Sequence, residues 1–120
     1  MNKTIYNYNR VIYKYKITPP ESGFNTSVVA PYFMQPISVG EQNGDIFIWG
    51  ISPPLEKIEA DDKCSHEFLI VPTGVEFTFN RETFLGTVQL KTLSYVGAAL
   101  GLPLSGQLVF HVFYVGRKNL

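Results

Sequence analysis

The chain has 120 residues and a mass of 13.5 kDa, with 10 Lys+Arg balanced by 10 Asp+Glu. That length suits one domain with a core of its own, and 45% hydrophobic against 17% charged residues excludes a disordered chain. A net charge of +0 leaves no cation surplus for a run of phosphates, which argues against a nucleic-acid role.

The single Cys64 cannot form an internal disulfide, which points to a reducing compartment. The opening MNKTIYNYNR lacks the apolar stretch of a signal peptide. The longest weakly polar run, LSYVGAALGLPL, falls short of the ~20 residues that span a bilayer. The expectation is a cytoplasmic protein without a membrane partner; for a viral gene product, that means the host cytoplasm.

In chain order, TIYNYN and VIYKYK both alternate, and no turn residue separates them. They read as successive strands or as one long or bulged strand. ITPPESGFNTSVVAPYF, with Pro19, Pro20, Gly23 and Pro31, reads as a long irregular connection. PISVGEQNGDIFIWGI carries the clearest local signal: Asn43-Gly44 supplies the two positive-φ residues of a type I′ turn between alternating strands. In its second arm Ile46, Ile48 and Gly50 face one way and Phe47, Trp49 and Ile51 the other. Both faces are apolar, so that strand is sandwiched within the domain or covered by another subunit.

SPPLEKIEADDKCSH reads as a charged loop with one helical turn around Leu55 to Ala60. EFLIV, VEFTF and FLGTVQL follow as short strands, with Pro72-Thr73-Gly74 as the tight turn between the first two. Residues 91–106 form an apolar insertion before a closing strand at 107–115. Helix is scarce. The expectation is a single mostly β domain over 1–120, a small antiparallel barrel or sandwich with little helix.

ISVGEQNGDIFIWGISP, EFLIVPTGVEF, FLGTVQL and LVFHVF occur in an order and spacing that resemble the blocks of a family of small phage proteins of unknown function. The opening TIYNYN resembles that family's Thr-Ile-Tyr-x-Tyr start. The resemblance implies phage origin and a compact β domain, and it brings no catalytic residues. Where the family has a Gly-Thr-Gly turn often followed by His, this chain has Pro72 and Val75, so a histidine pair is not carried over.

His111 interrupts the apolar QLVFHVFYVG and shares a strand face with Val109 and Phe113. A neutral imidazole there bonds a backbone carbonyl or a Thr of a neighbouring strand, the commoner role; a binding role needs a cavity on that face. Trp49 reads as a core anchor or as a platform for a planar ligand. The Thr73-Gly74 turn offers backbone N–H groups and a hydroxyl that could hold a phosphate, with Arg81, Lys91, Arg117 and Lys118 as nearby cations. It lacks the strand-to-helix context of a phosphate loop.

Glu59, Asp61, Asp62, Cys64 and His66 invite a metal reading, but no further Cys or His stands at a ligand spacing, and a solubilising acidic loop is the better reading. No nucleophile stands with its base in any recognisable pattern. The sole enzymatic form would be phosphodiester cleavage with His111 as general base. The segment 91–106, which contributes Tyr95, caps the barrel, packs on a second copy or closes over a ligand.

Together these features point to a non-enzymatic protein with no cofactor and no metal. The ligand-binding set is Trp49, Thr73, Gly74, Arg81, Tyr95 and His111. The function expected is a homo-oligomer that sequesters a nucleotide-type host immune signal. The alternatives are a protein-binding inhibitor of a host defence enzyme and a virion or decoration protein.

Overall fold

In the computed structural model, which describes residues 9–90 and 108–120, Asn43-Gly44 closes a hairpin between β3 (Gln35–Gln42) and β4 (Asp45–Ser52). Asn43 lies at φ 55° and Gly44 at φ 85°, as a type I′ turn requires, and Glu41 accepts the Gly44 N–H at 2.7 Å. A Cβ at this positive φ costs about 1 kcal/mol. Gly44→Ala should therefore lower the melting temperature by roughly 3–6 °C. An unchanged melting temperature would refute the turn's stereochemical demand for glycine.

β1 (Val11–Ile17) pairs with the other side of β4, giving an antiparallel three-stranded sheet ordered β1-β4-β3. β2 (Asn25–Pro31), β5 (Lys63–Pro72), β6 (Thr83–Leu90) and β7 (Leu108–Lys118) form a second antiparallel sheet, ordered β2-β5-β7-β6. The two sheets make a sandwich rather than a closed barrel. The helical elements among the described residues are single 3-10 turns at Leu55–Lys57 and Ala60–Asp62. No helix there is long and apolar enough to cross a membrane.

The core follows the two-residue strand period. Ile46 and Ile48 of β4 meet Phe68 and Ile70 of β5, Phe110 and Val112 of β7, and Val88 and Leu90 of β6. Each such side chain contributes about 1.5–3 kcal/mol by leaving water. The opposite face of β4 is half-buried: Lys14 crosses the Phe47 ring at 4.6 Å and reaches Gln42 Oε1 at 2.8 Å, while Trp49 lies against Gly40. Its neighbours Ile12 and Ile37 stay exposed.

Three sequence expectations are corrected. The tract read as an irregular connection contains β2, an edge strand on β5 whose inward positions are the small Thr26, Val28 and Ala30. VEFTF (75–79) is not a strand; it lies over the outer face of the four-stranded sheet, with Phe77 and Phe79 on Phe113 at 5.7 Å each. The charged loop ends at Asp62, because Lys63 begins β5 and turns Cys64 and His66 into the interior. Residues 1–8 and 91–107, and with them the TIYNYN block and the apolar insertion, lie outside the described residues.

Candidate functional site

β7 presents Val109, His111 and Phe113 to the outer face of the four-stranded sheet, as its alternation requires, while Leu108, Phe110 and Val112 enter the core. Phe113 is the centre of an aromatic cluster. Phe84, its cross-strand partner on β6, stands at 5.4 Å, and Phe77 joins it to Phe24 at 6.4 Å. Residues 76–82 reach this face because the chain reverses at Pro72-Thr73-Gly74. Gly74 sits at φ 86°, and the Val75 N–H reaches back to the Pro72 carbonyl at 3.4 Å.

Beside the cluster opens a groove of about 690 Å³. Phe24, Leu69, Phe77 and Val115 give its apolar lining, and Asn25, Glu76, Thr78, Asn80 and Glu82 its polar lining. The rim is locally braced: Glu82 Oε2 accepts the Asn80 N–H at 2.7 Å, and Arg81 between them is held in the left-handed region at φ 68°.

His111 lies two residues from Phe113 on the same strand face, roughly 7 Å along β7. Its Nε2 is 2.7 Å from Thr73 Oγ1 and its Nδ1 3.0 Å from Thr87 Oγ1. The Thr73 hydroxyl also reaches the Val109 carbonyl at 3.4 Å. With that hydroxyl donating to Val109, Nε2–H donates to Thr73 and Nδ1 accepts from Thr87. Both ring nitrogens therefore have a threonine hydroxyl as partner. The Thr73 N–H is likewise taken, by the Val109 carbonyl at 3.0 Å, which leaves the turn poor in donors for a phosphate. Because His111 sits on the outer face, His111→Phe exposes the two threonine hydroxyls to water and should change stability by less than about 1 kcal/mol. A melting curve checks this.

Of the six residues singled out from the sequence, the structure brings together Thr73, Gly74 and His111 around one turn; Arg81 is exposed between the groove residues Asn80 and Glu82 and is not itself part of the lining. Trp49 lies on the other sheet of the sandwich, facing outward beside Gly40, away from this group. Tyr95 lies outside the described residues. Among the sequence cations, Arg117 is at the far end of β7, bonded to the Tyr32 and Met34 carbonyls and stacked 5.0 Å over Tyr32. The groove residues from Phe24 and Asn25 to Val115 were not singled out; the alternation of Phe77 and Phe79 with Glu76, Thr78 and Asn80 was their one legible signal.

His66 is fully buried and serves structure. Nε2–H donates to the Pro31 carbonyl at 2.9 Å, and Nδ1 accepts from the Tyr114 hydroxyl at 2.8 Å, tying β2, β5 and β7 together. Burial lowers its pKa below the ordinary value, with the Pro31 bond opposing and the Arg117 charge reinforcing. Burial also raises the pKa of the Cys64 thiol, which lies 3.5 Å from Nε2. Glu59, Asp61 and Asp62 keep their carboxylates within 4.8 Å of one another at the surface, but the soft donors proposed beside them point inward.

Comparison with curated proteins and with solved structures finds no match. Residues 1–119 match the Domain of unknown function (DUF7352), and the chain belongs to that family.

Proposed function

We propose that this chain is a phage-encoded, non-enzymatic binding protein that acts in the host cytoplasm and captures a nucleotide-type immune signal on the outer face of its four-stranded sheet. The groove of about 690 Å³ carries the reading. It has the volume of a small-ligand site, aromatic rings for stacking, and the amides of Asn25 and Asn80 for polar edges. Phage origin rests on the resemblance of the sequence blocks, and assembly into a homo-oligomer is favoured by the exposed Ile12, Ile37, Phe79 and Phe84.

The test is release. Protein recovered from infected, signalling cells is denatured and its small molecules are identified by mass spectrometry. A nucleotide in stoichiometric yield is the expected result. A second reading, inhibition of a host defence enzyme, draws on the exposed apolar residues that flank Trp49; it predicts a co-purifying protein and no released nucleotide. A virion or decoration protein would instead appear in purified particles.

A further inference from the structure

The groove's charge is one-sided. Glu76 and Glu82 line it, and no Lys or Arg does among the described residues; Arg81, between Asn80 and Glu82 in sequence, is exposed and outside the lining. A carboxylate only accepts hydrogen bonds, so whatever meets it must donate. A phosphate has no donor to offer and is repelled. Resting on the nucleotide reading above, we infer that the groove takes the base rather than the phosphate, and that it selects a base presenting two adjacent N–H donors, the guanine edge.

The two carboxylates are placed differently. Glu82 is positioned by the Asn80–Glu82 turn, where one oxygen holds the Asn80 N–H at 2.7 Å and the other is uncommitted. Glu76 makes no hydrogen bond or ion pair among the described residues, and it faces the same space. Guanine sets N1–H beside its exocyclic N2–H2, and one carboxylate accepts both, as it does from the fork of an arginine. Adenine offers one donor beside a ring acceptor, and that acceptor would face a carboxylate oxygen without a proton between them. Cytosine and uracil mix donors and acceptors in the same way. The guanine O6 acceptor needs a donor, which the side-chain amide of Asn25 or Asn80 supplies. Phe24 and Phe77 give the ring apolar faces to lie against, and the sugar and phosphate point outward to solvent, away from the carboxylates.

Equilibrium dialysis of the purified full chain against guanosine, adenosine and guanosine monophosphate tests this. Guanosine should bind at least about tenfold more tightly than adenosine, the scale of a charge-assisted hydrogen bond. Guanosine monophosphate should bind no more tightly than guanosine. Glu76→Gln and Glu82→Gln, each checked by melting temperature to be folded, should bring the guanosine-to-adenosine ratio toward one in at least one case. Equal or tighter adenosine binding overturns the inference, and so does a preference unchanged in both variants. Monophosphate binding tenfold tighter than guanosine overturns the outward placement of phosphate. If no nucleoside or nucleotide binds at all, the nucleotide reading itself falls, and with it this refinement.

Discussion

Gly50→Ala should lower the melting temperature by about 6–12 °C, out of proportion to the single methyl group it adds. Gly50 sits on the inner face of β4 between Tyr13 and Pro36. A Cβ there would stand 2.8 Å from Met34 Cγ and nearer still to its sulfur, and Met34 has no exposed surface to retreat into. Overpacking of this kind costs about 1–3 kcal/mol, even against an adaptable thioether. The check is a double-mutant cycle. In a Met34→Ala background the Gly50→Ala cost should shrink to under about 0.5 kcal/mol, because the colliding atoms are gone. An equal cost in both backgrounds would show that the collision with Met34 is not its source.

Removing the His66 imidazole has a comparable effect. His66→Leu leaves the Pro31 carbonyl and the Tyr114 hydroxyl without their partner in the interior, at a cost of about 3 kcal/mol. The same residue makes stability depend on pH. Its folded pKa is lowered by burial, so below about pH 6.5 the unfolded chain binds a proton that the folded chain resists. Its stabilisation is complete above that pH and declines as the pH falls toward the folded pKa, by at most about 1.4 kcal/mol per unit. Between pH 8 and pH 5 the wild type should lose more melting temperature than His66→Gln, which offers a donor and an acceptor but does not titrate. Parallel pH profiles for the two proteins would refute this role.

What was legible in the sequence is what local stereochemistry decides. Asn43-Gly44 can be read directly because its turn depends on two residues, and the split of β7 into a core face and a His111 face follows from its period. Barrel and sandwich both stayed open in the sequence, because the choice rests on which strands pair across the chain, and the two separate sheets decide for the sandwich. β2 was missed because its inward positions are small and Val29, between them, is an exposed apolar residue on an edge strand; only the ladder with β5 makes it a strand. VEFTF alternates correctly, yet both edges of β5, the strand it would fold back on, are already taken by β2 and β7, so no hairpin with β5 is open to it and it crosses the sheet face instead. His66 follows two aspartates closely and reads as part of their loop, whereas its partners lie 35 residues before it and 48 after. The groove draws on the start of β2, the middle of β5, residues 76–82 and the end of β7, a convergence that no local window contains.

Cys64 is the chain's single cysteine, 2% exposed in a strand paired on the β2 side through Ala30, and its thiol is held protonated by burial. A thiol reagent therefore modifies only molecules in which the sheet has opened, which makes the labelling rate a clock for that opening. A ligand that binds only the closed sandwich slows the clock by the factor 1 + [L]/Kd, whatever its chemical identity. One unmodified protein thus carries its own assay for occupancy, usable with any compound or cell extract.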